Sequence, residues 1–300
     1  MQTQYNSNKI TKARESVYNF IRGNKIKPSN DEGILLRFKL NKSDILPIQK
    51  NVKKIIFKSL KIFFKKNFKK VDNFLQIYEK EIFQLPIITP SGSFQPKKEI
   101  IKEYNDLHNS MVKLLSKFQL LQHIDKAAFV GLRIKKGESI KKKKEYDKRS
   151  YSTNKIHSDA WNGQTSDSVI SIMVFGDIKN NCIQFYKPLN IKRNFLKKIK
   201  DFSDGKKYYK NLKYLGKSLK NELVIFDQLC LHRTHIRSKK SRLSIDLNVH
   251  WKKNKANNFF DKSSKRYNYF DLKKWTKLDY SKIKQYKITF KETLEKFKNN

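Results

Sequence analysis

The sequence predicts a mainly β domain, a barrel or sandwich, with helices on its N-terminal side. Three observations predict it. Apolar residues recur at helical spacing from position 48 to 121, then switch to short extended runs between 127 and 249. Turns and irregular segments separate those runs, without the intervening helices that an alternating β/α plan requires. A hydrophobic content of 38% in 300 residues can bury a sizeable core, and no internal repeat divides the chain. We therefore expect one domain: helical N-terminal support over 1–126, a β core over 127–252 and a C-terminal extension over 253–300.

Residues 1–33 are polar, with one short helical stretch around 15–21. Residues 34–40 alternate weakly and are expected to form a strand. From Ile48, the residues Val52, Ile56, Leu60, Phe63, Phe64, Phe68, Val71 and Phe74 keep helical spacing while lysines fill the other face. Such a basic amphipathic helix packs on a core or lies on an anionic membrane, and the core is the expectation here. Pro86, Pro90, Ser91-Gly92-Ser93 and Pro96 mark a loop. Ile100, Tyr104, Leu107, Met111, Leu114, Phe118 and Leu121 then step by four and three, the single apolar stripe of a second helix.

Beyond it the period becomes extended. Residues 127–134 read as a strand, and 135–149, with four consecutive lysines at 141–144, as an exposed loop. Residues 168–175 form a buried strand, 182–186 a shorter one, 195–214 a polar excursion, and 223–226 and 243–249 the last strands. Thr289 and Glu292 make a capping box for a final helix over 290–298.

No apolar run approaches the roughly 18–20 residues needed to span a membrane, and the first 22 residues lack the apolar segment of a secretion signal. Cys182 and Cys230 are too few for a disulfide framework, so a reduced, cytoplasmic protein is expected. The net charge of +41 raises nucleic-acid binding as a candidate role. Its make-up argues against that as the primary role. Only 10 of the 68 cationic residues are arginine, the residue favoured for reading bases and clamping phosphates. Few alanines and abundant Lys, Asn, Ile, Phe and Tyr are what AT-rich coding produces whatever the function, and the lysines spread along the whole chain.

The residues that carry chemistry lie far apart in sequence. His-x-Asp occurs at His123–Asp125 and at His157–Asp159. The first falls where the second helix runs out and needs no special purpose. The second has better surroundings. On an extended segment, positions i and i+2 share a face, so the imidazole and carboxylate can bind one ion. The buried run 223–227 leads to His232, a third ligand from a strand remote in sequence. Two histidines and one carboxylate on one face of an octahedral ion form the facial triad of non-haem iron(II) oxygenases. Zinc is the competing metal. Arg242, ten residues past His232, decides between them: with Ser244 on the same strand face it can clamp a carboxylate, as an oxygenase using a keto-diacid requires. His235 is the rival third ligand, but on a strand it faces away from His232. His108 and His250 are expected to be core or surface residues.

His157-Ser158-Asp159, His232 and Arg242 together resemble the iron(II)/2-oxoglutarate-dependent dioxygenases of the phytanoyl-CoA hydroxylase-like group. The stretch 149–161, Gly176-Asp177 and Arg242-Leu243-Ser244-Ile245-Asp246 are similar to a branch found with surface-carbohydrate biosynthesis clusters. The resemblance covers residues 129–251. It implies a double-stranded β-helix (jelly-roll) core, with His157, Asp159 and His232 on iron(II) and Arg242 and Ser244 on the distal carboxylate of 2-oxoglutarate. It implies consumption of O2 and hydroxylation of a small-molecule substrate, a sugar or surface-carbohydrate intermediate. Arg149, Trp161 and Gln184 flank the site in this resemblance and are expected to contact the substrate. The chain departs from the family where many relatives carry a glycine-rich, Ser-His-containing segment; here 180–188 reads Asn-Asn-Cys-Ile-Gln-Phe-Tyr-Lys-Pro. The same chemistry on nucleic acid or another anionic substrate, and a non-catalytic cupin-like binding role, are the alternatives.

Overall fold

The computed structural model describes residues 7–89, 92–137, 148–252 and 269–278. The lysine run at 141–144 and the final helix at 290–298 lie outside the described residues. The fold is mainly β with flanking helices, and its core is a double-stranded β-helix of two antiparallel sheets. The larger sheet runs in the order β1 (Asn30–Asp31), β2 (Leu35–Lys39), β8 (Glu222–Asp227), β5 (Ser168–Gly176), β10 (Arg242–Trp251), β3 (Ile124–Ala128) and β11 (Tyr269–Asp271). β4 (Gly131–Lys135) pairs with the first half of β10, on the edge where β3 pairs with its end. The smaller sheet is β7 (Asn211–Lys217), β6 (Asn181–Leu189) and β9 (Leu231–Ile236).

β10 explains why the large sheet sits as it does. Its side chains alternate strictly, and successive residues of a strand point to opposite faces. Leu243, Ile245, Leu247 and Val249 enter a core shared with the helices, whereas Arg242, Ser244, Asp246 and Asn248 line a cleft between the two sheets. β5 and β8 obey the same rule, with Ile170, Ile172, Val174, Leu223 and Ile225 on the helix side. Val169, Met173, Val224 and Phe226 face the second core, between the sheets.

Two long helices, α3 (Lys42–Phe64) and α6 (Ile101–Lys117), pack together over the outer face. Asn51 Nδ2 ties them by donating to the Asp106 carbonyl and to Ser110 Oγ, each at 2.9 Å. α3 begins earlier than its apolar spacing suggests, because Asp44 Oδ2 accepts the Asn41 N–H at 3.0 Å and closes the first turn. It also ends earlier: Lys65 adopts φ +53°, and helix resumes only at α4 (Phe74–Ile77). Phe68, expected in the same helix, instead folds back edge-on against Phe64.

Two further expectations are corrected. Residues 127–134 are not one strand: β3 and β4 are separated at Phe129–Val130, where the Val130 N–H turns inward to His108 Nε2 at 3.1 Å. The polar excursion 195–214 buries Phe195, Leu196, Ile199 and Phe202 between the sheets and contains most of β7. β2 falls in the strand expected over 34–40 and is a full member of the large sheet, paired with β8. Both cysteines are buried and unpaired. No helix among the described residues is long and apolar enough to cross a membrane.

His108 is fully buried, stacked on Trp275, and accepts a backbone N–H, so it must be neutral. Burial lowers its pKa to about 3. Its unfolded value lies higher, so its contribution to stability is full above pH ~6.5 and is lost as pH falls from there toward 3. We expect the unfolding free energy to fall over that window by up to about 1.4 kcal/mol per pH unit for each such histidine. His108→Gln, which keeps an acceptor without the titration, should flatten the slope in urea unfolding measured at several pH values.

Candidate metal centre

The cleft between the sheets is the place where the remote residues meet. His157 comes from the segment before β5, and forms an antiparallel bridge with His232 on β9. Each backbone N–H donates to the other's carbonyl, at 2.9 and 2.8 Å. Ser158 is extended, which keeps His157 and Asp159 on one side, but Asp159 then opens a 3-10 turn, Asp159–Asn162, instead of continuing a strand. Ser158 caps that turn by accepting the Ala160 N–H at 3.1 Å.

One ligand atom from each of His157, Asp159 and His232 lies within 4.8 Å of the others. Asp159 Oδ1 is 3.7 Å from His157 Nε2 and 3.8 Å from His232 Nε2. Metal–nitrogen and metal–oxygen bonds of about 2.0–2.2 Å at right angles put ligand atoms roughly 3 Å apart, so a small inward shift accommodates an ion. The tautomers suit this. His157 Nδ1 donates to the Lys155 carbonyl at 2.8 Å, which leaves its Nε2 lone pair toward the cleft. His232 Nδ1 faces the Cys230 carbonyl at 3.4 Å in the same sense. Burial, and next the neighbouring His232, lower the His157 pKa to about 3, so its imidazole is neutral and ready to ligate at neutral pH. Phe202 stacks on the His157 ring at 4.2 Å and holds its plane.

Arg242 lies in the same cleft, 1% exposed. Its Nη1 contacts Ser244 Oγ at 3.1 Å and Met173 Sδ at 3.4 Å, and among the described residues its Nε has no hydrogen-bond partner and it forms no ion pair. Burial lowers its pKa to about 10, with Asp246 opposing the effect. A guanidinium taken out of water without a carboxylate is costly, and an anion entering the cleft would repay that cost. Asp246 itself is engaged elsewhere: it accepts Ser171 Oγ at 2.6 Å and lies 3.6 Å from Arg133 Nε.

The three residues expected at the substrate do not reach the cleft. Trp161 is fully buried beside it, donating Nε1 to the Phe195 carbonyl at 2.6 Å, with its ring against Gly205 where any Cβ would overlap it. Gln184 is on the outer face of β6: Ile183 and Phe185 point inward, so Gln184 points out, where its Oε1 accepts Arg233 Nε at 2.8 Å. Arg149 is exposed in the turn before Ser152. Thr153, Gln164, Thr234 and Asn248 line the cleft instead. The parity of a strand explains why Gln184 points out and Thr234 and Asn248 point in, because sequence alone does not say which alternate set is inside. His235 lies on the outer face of β9 with Arg233, opposite to His232. His123 approaches Asn24 Oδ1 at 3.1 Å, far in sequence from the triad, and His250 faces Asp167 at 3.5 Å.

No protein-family model matches this sequence, and no curated protein matches it. Several solved structures align with the chain at low identity. The non-heme alpha ketoglutarate dependent carbocyclase SnoK from nogalamycin biosynthesis has 7% identity and a TM-score of 0.43, over 83% of this chain and 84% of its own. A prolyl hydroxylase from Trichoplax adhaerens, solved with a hypoxia inducible factor peptide, has 10% identity and a TM-score of 0.39, over 85% and 98%. AviO1 from Streptomyces viridochromogenes Tue57 has 10% identity and a TM-score of 0.36, over 78% and 92%. Likeness this distant does not transfer a reaction. What the site can do has to follow from its own side chains.

Arg242→Met removes the unpaired buried charge at similar volume. We expect it to raise the unfolding free energy of the ligand-free protein by about 1–4 kcal/mol, and to abolish the rise in melting temperature that a small dicarboxylate gives wild type. Thermal unfolding with and without the dicarboxylate checks both.

Proposed function

We propose that this chain is an iron(II)/2-oxoglutarate-dependent dioxygenase that hydroxylates a small metabolite. His157, Asp159 and His232 are the metal ligands, and Arg242 with Ser244 binds the distal carboxylate of 2-oxoglutarate. One observation carries the proposal: the same cleft holds a His-Asp-His cluster and a buried guanidinium that forms no ion pair among the described residues. A zinc hydrolase has use for the first but no general need of the second.

Bound iron(II) supplies the chemistry that couples O2 reduction to oxidation of both cosubstrate and substrate. The protein's own residues provide the rest. His157, Asp159 and His232 would hold the iron from one side, which leaves the cleft side open to small molecules. Arg242 fixes the far end of the keto acid by charge and by its fork, and Ser244 adds a hydroxyl at that end. Val169, Ile183 and Phe226 supply apolar wall that limits water. Arg133, Thr153, Gln164, Thr234 and Asn248 are polar groups left to orient a substrate, and the hydroxyls and amides among them suit a polyhydroxylated molecule, a sugar or an intermediate of surface-carbohydrate synthesis. The charge of +41 favours a second reading, the same chemistry on a nucleic acid. Salt separates them, because phosphate-backbone binding weakens steeply with ionic strength and sugar turnover does not.

With iron(II) and a reductant, wild-type protein should convert 2-oxoglutarate to succinate and CO2 with uptake of O2. His232→Ala should abolish this, and Arg242→Met should raise the KM for 2-oxoglutarate roughly 10–100-fold, the worth of a charge-assisted hydrogen bond. Folded, iron-loaded protein that consumes no 2-oxoglutarate under any substrate tried would overturn the proposal in favour of a binding role.

A further inference from the structure

Arg14 lies on α1 (Ser7–Ser16), in the stretch with least sequence pattern, yet it is fully buried. Its guanidinium grips Asp227: Nε lies 3.0 and 2.9 Å from the two carboxylate oxygens, and Nη2 lies 2.7 Å from Oδ2. Nη2 also donates to the Asp167 carbonyl at 2.8 Å. A fully desolvated ion pair is weak evidence for stability, so what it holds in place matters more than what it contributes.

What it holds can be followed atom by atom. Asp227 ends β8; its Oδ1 accepts the Leu229 N–H at 2.7 Å and its carbonyl accepts the Cys230 N–H at 2.9 Å. The carboxylate gripped by Arg14 thus shapes the turn at 228–230. That turn touches both halves of the metal centre. The Gln228 carbonyl accepts Ser158 Oγ–H at 2.6 Å, and Ser158 stands between His157 and Asp159. The Cys230 carbonyl faces Nδ1 of His232.

We propose that Arg14 and Asp227 are positioning residues of the metal centre, setting through the 228–230 turn the spacing between the His157–Asp159 segment and His232. The proposal rests on the metal-site reading given above. Neither residue lines the cleft, so both act through the turn and not on substrate or ion. The fork geometry matters as well as the charge, because Nε and Nη2 engage the carboxylate together.

Cobalt(II) titration of the metal-free full chain, read by visible absorption and by competition with a chelating dye, tests this alongside thermal unfolding of each metal-free form. Arg14→Lys keeps the charge and loses the fork, and Ser158→Ala cuts the same connection at its other end. Each should weaken cobalt(II) binding about tenfold or more at a temperature where the variant is fully folded, the range seen for outer residues that orient ligands. In the double variant the two losses should combine to less than their product, since both act through one turn. An Arg14→Lys protein that melts lower but binds cobalt(II) like wild type would make the pair purely structural and overturn the proposal. If that variant does not fold, Ser158→Ala decides alone, and unchanged affinity overturns it. Wild type that binds no cobalt(II) overturns the metal-site reading and this proposal with it, a failure visible in wild type itself.

Discussion

β10 carries the constraint on which this structure depends: a strand covered on both faces, with one face apolar and buried and the other polar and only partly so beyond Ser244. Leu243, Ile245, Leu247 and Val249 anchor the helices, and that burial keeps the sheet in place by the hydrophobic effect. The price of the arrangement is the opposite face, where Arg242, Ser244, Asp246 and Asn248 are held beneath a second sheet. A strand interior positions such groups more firmly than a loop, because shifting them would drag the apolar set out of its core. The register of β10 against β5 and β4 therefore aligns the guanidinium with the His-Asp-His cluster.

The electrostatics of the cleft are uneven in an informative way. Most buried charges have partners: Arg14 has Asp227, and Arg37 has Glu222 at 3.0 Å. Arg242 stands apart among them, with a hydroxyl and a thioether in place of a carboxylate. His157 is kept neutral by burial and by His232, the state a metal ligand needs and a salt-bridge partner does not. Burying the Arg242 guanidinium without a carboxylate costs stability in the ligand-free chain, as functional sites commonly do, whereas the neutral His157 costs stability only as pH falls below ~6.5.

Much of this was legible in the sequence. The change from helical to extended period placed the helices before the sheets, and the spacing of His157, Asp159, His232 and Arg242 selected the residues that the fold brings into one cleft. What the sequence hid depends on long-range contact. Arg14 looks like any residue of a polar N-terminus; its partner lies 213 positions away. Phe202 sits in a lysine-rich stretch, and only the fold turns its ring onto His157. Ser158 is an unremarked serine until Gln228 arrives beside it. Gln184 and Trp161 lie outside the cleft lining for local reasons: the first by strand parity, the second because an aromatic next to a site is as useful for packing as for binding. The end of α3 at Lys65 has no glycine or proline to announce it.

Anaerobic addition of iron(II) and then 2-oxoglutarate to the metal-free protein tests the central assignment most directly. Chelation of the keto acid should give a weak visible charge-transfer band, absent in Asp159→Ala and weakened in Arg242→Ala, which would place cofactor, cosubstrate and site together. Well-folded wild-type protein that gives no band contradicts the assignment and leaves zinc or a non-catalytic role as the account of this cleft.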